Sequence, residues 1–222
     1  MSTSDSHKPT GSIPDKVLQE TDSDLVRAIF LLLRLLLNGK PVSADRFATS
    51  FGLSHAEVDA LFAGLRVWGA EFDEAGNFAG AGITLIPTPH RYEVNGRRFF
   101  TWCAPDTLLF PIMFGHIAAI ESTDPVSYER ILATISPRGV EHIEPPTAVL
   151  TSRRGGDARD VRGSMCQFGH FFTSRTSAAE YVAHHGGAVG GVPLDILTPT
   201  EAFDNARALT DLEPFRDIRW TQ

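Results

Sequence analysis

Two cysteines and one aspartate are the residues whose types and spacing could act together chemically. The chain holds only two cysteines, Cys103 and Cys166. Cys103 lies in the run Trp102-Cys103-Ala104-Pro105-Asp106. Proline is favoured at the first helical position, so a helix is predicted to open at Pro105, with Cys103 just ahead of it. Open N–H groups and the positive end of the helix dipole favour a thiolate there. Asp106 falls in the first turn, close enough in sequence to meet the Cys103 sulfur. A carboxyl beside a thiol can take its proton and return it elsewhere. Cys166 lies in Ser164-Met165-Cys166-Gln167-Phe168-Gly169-His170-Phe171-Phe172. That run alternates like a strand, which predicts a strand over 165–173 with Cys166, Phe168 and His170 on one face. Each segment alone also fits ordinary structure. An aspartate in a first turn can serve the dipole only, and a lone cysteine is commonly a small core hydrophobe.

Other chemistries lack their residues. Two thiols are too few for a structural zinc site of four cysteines, or of three cysteines and a histidine. They do not make a disulfide framework either. No CxxC, HExxH, Walker, dinucleotide or GxSxG pattern is present. His184-His185 reads as a helix end, and Gly186-Gly187 and Gly190-Gly191 read as turns. The formal net charge of −7 argues against a basic field for nucleic acid or a polybasic membrane patch. The longest apolar stretch, Ala28 to Leu37, is interrupted by Arg34 and is too short to span a bilayer. With a polar start and no apolar signal core, a cytoplasmic location is expected.

The elements that must position these residues form two groups. Residues 1–23 are expected to be a disordered lead, polar and without periodicity. A winged-helix-like N-terminal domain is predicted over 24–80. Its first helix is capped by Asp24, carries Leu25, Ile29, Leu32, Leu33 and Leu36 at helical spacing, and stops at Asn38-Gly39. Ser43 caps a second short helix. Ser54 and Glu57 form a capping box at a third, whose apolar stripe is Val58, Leu61, Phe62 and Leu65. A turn over 72–78 then joins two short strands. An α+β catalytic domain with a mixed or antiparallel sheet is predicted over 81–222. Strands are expected at 83–87, 91–94 and 97–102, the last two joined by Asn95-Gly96 in a type I′ hairpin. Further strands are expected near 117–122, 128–136, 147–152 and 165–173. Helices are expected to open at Pro105, at Ser177 and at Thr200.

Taken in order, these segments resemble the organomercurial (alkylmercury) lyases, the MerB family of bacterial mercury resistance. The matching stretches are Gly39-Lys40-Pro41-Val42-Ser43, Gly82-Ile83-Thr84-Leu85 and Trp102 through Pro111. Ser136-Pro137, Glu144-Pro145, Cys166 and His170-Phe171-Phe172 follow. The resemblance runs from about residue 24 to 210. It implies a MerB-like catalytic domain in which Cys103, Asp106 and Cys166 are catalytic and also hold the Hg(II) product. It implies that Trp102 and Met165 border the substrate pocket. It further implies no organic cofactor, help from cytosolic thiols in releasing the metal, and a mercuric reductase as its acceptor. The sequence departs from the family at Pro105, Met165 and Gln167, and it lacks the family's extra cysteines. Those departures bear on substrate range.

The chemistry of the residues agrees with that resemblance. Mercury is soft and prefers thiolate sulfur to oxygen or nitrogen. Two thiolates on mercury push electron density onto the attached carbon, and a nearby acid can then protonate it. Two rival functions draw on the same features: a metal-responsive DNA-binding regulator and a non-catalytic soft-metal binder. Residues 24–94 hold six Lys or Arg against eight Asp or Glu. The helix that would read a groove, Ser54 to Arg66, carries Glu57 and Asp59 against Arg66 alone, which disfavours the regulator. The binder shares every residue with the enzyme and differs only in turnover.

Overall fold

A computed structural model describes residues 23–153, 155–157, 160–185, 193–212 and 214–218. The expected lead over 1–23, Ser23 apart, and the glycines at 186–187 and 190–191 lie outside the described residues. The first described element is helix α1 (Ser23–Leu36). Its predicted stripe is the one that is buried: Leu32, Leu33 and Leu36 are wholly enclosed, each worth about 1.5–3 kcal/mol. Ser23 and Asp24 are both already helical, so Asp24 is not the cap expected from the sequence.

Ser43 caps α2 (Ala44–Phe51), its hydroxyl accepting from the Arg46 N–H, and Gly52 ends it in the left-handed conformation. The capping box of Ser54 and Glu57 starts α3 (His55–Trp68) as predicted. β1 (Glu71–Phe72) and β2 (Phe78–Ala81) form the expected short hairpin. β2 turns directly into β3 (Ile83–Thr84) through a single residue, Gly82, whose φ is +82°. The strand expected over 83–87 is thus cut to two residues.

β4 (His90–Val94) and β5 (Arg97–Thr101) pair across Asn95-Gly96, both at positive φ, as a type I′ turn requires. After α4 (Ala104–Phe114) come β6 (Ala118–Thr123), β7 (Arg130–Ser136) and β8 (Gly139–Glu144). The sequence does not announce β8: its residues alternate poorly, and all of them are exposed or half-buried. Strands β1 to β8 form one antiparallel sheet in the order β1-β2-β3-β5-β4-β6-β7-β8. The hairpin of residues 71–81 is therefore the end of the large sheet.

A second sheet has the order β10-β9-β11, with β9 (Val149–Arg153) central between β10 (Phe171–Phe172) and β11 (Leu194–Leu197). Of the strand predicted over 165–173 only the two residues of β10 form; a 3-10 turn (Cys166–Phe168) replaces its first half, preceded by a short helix α5 (Val161–Ser164). Asp160 caps α5 through the Gly163 N–H, and the Arg153 guanidinium donates to the Ser164 carbonyl. These local bonds outweigh the period-two pattern. α6 (Arg175–His185) starts ahead of the expected Ser177, since Ser174 accepts from the Ser177 N–H while the Ser177 hydroxyl goes to buried Asp124. α7 (Pro199–Thr210) is capped by a Thr198–Glu201 box, and α8 (Phe215–Ile218) is the last described helix.

α4 is the element that joins the two sheets. It packs on β4, β5, β6 and β7 of the large sheet, on β9 of the small one, and on α7. Among the described residues, no helix is long and apolar enough to cross a membrane.

Candidate active site

Cys103 is the N-cap of α4 and Asp106 belongs to its first turn, with Pro105 between them. The cysteine thus sits one position closer to the helix than the proline rule implies, with Ala104 as the first helical residue. Its backbone is extended, at φ −150°. Two tight seams hold it. The Trp102 N–H donates to the Gly82 carbonyl at 2.8 Å, and the Ala104 N–H to the Gly169 carbonyl at 2.9 Å. The second seam ties the Cys103 segment to the Cys166 turn. A Cβ on Gly169 would lie 2.9 Å from the Cys103 Cβ, so only glycine permits this approach.

The Cys166 turn is held from the other side by β9. The Thr151 hydroxyl donates to the Phe168 carbonyl at 2.6 Å and accepts from the His170 N–H at 3.1 Å. As a result the Cys103 Sγ, the Cys166 Sγ and an Asp106 carboxylate oxygen all lie within 4.8 Å of one another. Both cysteines are buried and neither is in a disulfide. The three residues named from sequence are brought together although Cys166 lies in a turn and not in the expected strand, because the seam through Gly169 ties the two thiol segments to each other.

The cluster lines a cavity of about 220 Å³, enclosed largely by apolar side chains, among them Ile29, Phe30 and Phe110. Trp102 and Met165 line it too, as expected of pocket residues. His170 does not line it. That imidazole packs edge-on to Tyr181 at 5.2 Å and tilts against His90 at 5.7 Å. Asp106 Oδ2 is sealed from water and has no hydrogen-bond partner. Its nearest surroundings include Gly82, whose missing side chain leaves room for the Phe110 ring.

Electrostatics follow from this enclosure. Burial pushes the Asp106 carboxyl up to about 6, against the pull of the Cys103 thiol and of the main chain at Cys103 and Trp102. Burial pushes the Cys103 thiol well above its ordinary range, and the neighbouring Cys166 and Asp106 add to this. The Asp106 main chain, at the open start of α4, works the other way. For Cys166 the contact with Cys103 pulls down, but burial and the Asp106 charge leave it raised overall. Arg162 pulls Cys166 down as well. On sequence grounds a helix start lowers Asp106 and burial raises it. Burial wins. The helix start also fails to make Cys103 a resting thiolate.

Sequence reasoning missed the residues that frame Trp102. Its indole N–H donates to Glu71 Oε2 at 3.0 Å, and Glu71 is also paired with Arg162. The Arg162 guanidinium lies 5.4 Å from the Trp102 ring centre, and Trp68 stacks on the same indole at 6.0 Å. No local pattern marks Glu71, which lies 31 residues before Trp102. Gly82 and Gly169 were missed as positioning residues as well, though a glycine so soon after Cys166 was a usable signal.

A dry cavity with two thiols and one buried carboxyl suits a soft, thiophilic species and a proton transfer next to it. Comparison with known proteins bears on which class of protein this is. The family model described as alkylmercury lyase (MerB) matches residues 83–211. The alkylmercury lyase of Pseudomonas putida is 38% identical over 156 residues, covering 70% of this chain and 73% of its own. That of Bacillus cereus is 34% identical over 178 residues, covering 80% and 78%. That of Streptomyces lividans is 32% identical over 181 residues, covering 81% and 80%. The crystal structure of the mercury-bound form of MerB2 superposes with a TM-score of 0.76 at 20% identity, covering 89% of this chain and 95% of that one. At that identity the superposition speaks for the fold, an α+β arrangement with antiparallel sheets. The chain belongs to the alkylmercury lyase family.

Proposed function

We propose that this protein is an alkylmercury lyase that cleaves the carbon–mercury bond of organomercurials by protonolysis, with Cys103, Cys166 and Asp106 as its catalytic residues. The observation that carries the proposal is the buried Asp106 carboxyl, one oxygen of it unpartnered, clustered within 4.8 Å of two free thiols in a largely apolar cavity. The substrate is R–Hg–X, where X is the thiolate or other anionic ligand that carries it in solution. One cysteine sulfur bonds to mercury and displaces X, and its proton leaves with X as HX. The second thiol passes its proton to ionised Asp106 and bonds to mercury as thiolate. Mercury binding favours this step, because a thiol on a soft cation loses its proton readily. Two sulfurs now donate to mercury and make the carbon basic. Asp106 returns the proton to that carbon, the C–Hg bond breaks and RH leaves. Hg(II) stays on both sulfurs, with the Asp106 carboxylate beside it. The net change is two S–H bonds, one C–Hg bond and one Hg–X bond exchanged for two S–Hg bonds, one C–H bond and HX.

Enclosure serves each step. It keeps water from the pair and leaves Asp106 poised near 6, able both to accept and to give a proton near neutrality. Trp102 and Met165 form part of the wall around the organic group. No organic cofactor enters these steps. Cytosolic thiols would strip Hg(II) from the pair, a mercuric reductase would receive it, and the location would be cytoplasmic. We read residues 24–80 as a winged-helix-like segment and 81–222 as the catalytic domain. The first segment's role here is to cover the cavity with Ile29, Phe30 and Trp68.

The test is release of hydrocarbon. Purified protein mixed with one equivalent of phenylmercury and no added thiol should yield about one equivalent of benzene per chain, measured by gas chromatography. Phenylmercury that stays intact on the thiols would instead identify a non-catalytic binder.

A further inference from the structure

The cavity has a polar side that the protonolysis steps do not use. β9 runs from Thr151, which fixes the Cys166 turn, to Ser152 and Arg153, both of which line the cavity. Arg153 is held in place on two sides. Nη1 donates to the Ser164 carbonyl at 3.1 Å, two residues before Cys166, and the guanidinium carbon lies 4.7 Å from the centre of the Phe168 ring. Its Nε–H is sealed from water and has no hydrogen-bond partner. A buried donor left without an acceptor is uncommon and calls for an explanation. Here the group is a cation, fixed in orientation and bordering the substrate cavity. No water-sized group reaches that N–H, so a carboxylate would meet the guanidinium at its Nη edge, whose planar donors suit it. Two acids also line the cavity, Asp106 and Asp195, and Asp195 pairs in register with Ser152. The net field is therefore not positive, so an anion there needs direct hydrogen bonds, and Arg153 is the cation among the lining donors.

We propose that Arg153 is a specificity-determining residue that binds a carboxylate carried by the substrate, on its organic group or on the thiol that delivers it. This deepens the lyase reading and rests on it. The two sources share one chemistry. A mercuribenzoate brings the carboxylate on the ring, whereas a carboxylated thiol brings it on X.

The test compares KM values in wild type, Arg153→Gln and Arg153→Lys. With uncharged 2-mercaptoethanol as carrier, the first arm sets 4-(hydroxymercuri)benzoate against phenylmercury. The second arm keeps phenylmercury and exchanges 2-mercaptoethanol for 3-mercaptopropionate. In wild type, at least one carboxylate-bearing pairing should have a KM about tenfold lower than its uncharged counterpart. Arg153→Gln should bring that ratio near one, and Arg153→Lys should keep part of it. A gain in the first arm places the carboxylate on the organic group, and a gain in the second places it on the carrier. Ratios near one in both wild-type arms would overturn the proposal, as would a preference that Arg153→Gln retains. Because ratios are read, a general loss in the variant cancels. If Arg153→Gln no longer binds Hg(II) on both thiols, the wild-type ratios and Arg153→Lys still decide. Failure of every substrate to release hydrocarbon would sink the lyase reading instead.

Discussion

Under the proposed mechanism, replacing Asp106 by asparagine should separate proton delivery from mercury binding, and its effect on stability can be worked from the burial of the carboxyl. In the folded chain Asp106 titrates at about 6, against 3.8 for an exposed aspartate. A raised carboxyl means that the fold prefers the proton. Below pH 3.8 both states hold it and nothing is lost. Between that value and about 6 the unfolded chain ionises first and stability falls. Above it the full difference applies, about 3 kcal/mol. An asparagine at this position does not titrate. The stability of Asp106→Asn relative to wild type should therefore rise by about 2.5 kcal/mol between pH 4 and pH 8, on top of a constant offset for its buried amide. For a chain of this size that swing is about 5–10 °C in the difference between melting temperatures. The variant should bind one Hg(II) per chain, because both thiols remain, yet lose about 10²–10⁴ in cleavage rate. Thermal melts across pH, mercury titration and hydrocarbon release measure these separately. A melting difference that does not change with pH would refute the buried state of the carboxyl. Cleavage near the wild-type rate would refute its role as proton carrier, and another acid would be needed; His170 is poorly placed for it, since it does not line the cavity.

In the proposed mechanism ionised Asp106 accepts a thiol proton before it delivers one, so single-turnover cleavage should fall as the pH drops through about 6; a stopped-flow pH profile would show that limb in wild type and not in Asp106→Asn. Cys103→Ser and Cys166→Ser should each remove turnover, since a hard hydroxyl cannot replace a soft thiolate, while circular dichroism stays native; near-normal hydrocarbon release by Cys166→Ser would exclude a two-thiol mechanism. One Hg(II) should protect both wild-type thiols from iodoacetamide, and a cysteine that still reacts in the loaded protein would mean that the pair does not share the metal. Gly169→Ala places a Cβ 2.9 Å from both the Cys103 Cβ and the Pro105 Cδ, neither of which can swing aside; it should cost about 1–3 kcal/mol and slow cleavage, and unchanged kinetics would show that the seam between the thiol segments is not needed.

What was legible in the sequence was local. The caps at Ser43 and Ser54, the Asn95-Gly96 turn and the α1 stripe each depend on residues within a few positions of one another, and each formed where expected. The helix after Cys103 was of the same kind, shifted by one residue because Pro105 took the second helical position rather than the first. The Cys166 segment failed as a strand for a physical reason that alternation does not encode. Its backbone is claimed by Arg153 and Thr151, two side chains outside the alternating run. The frame around Trp102 was invisible because Glu71 and Arg162 meet it only after the large sheet and α5 are in place.

The site nonetheless survived the wrong secondary structure, and the reason lies in how the two thiols are brought together. A strand would have aimed Cys166 through the pleat, leaving the distance to Cys103 to the packing of two sheets. A 3-10 turn locked to the Ala104 N–H through the Gly169 carbonyl sets that distance with one main-chain bond of 2.9 Å. The bond needs a backbone with no Cβ in its way, which is the condition Gly169 meets. A soft metal that must be gripped by two sulfurs at once needs their separation fixed before it arrives, and a main-chain seam fixes it with less freedom than two facing side chains on separate sheets would.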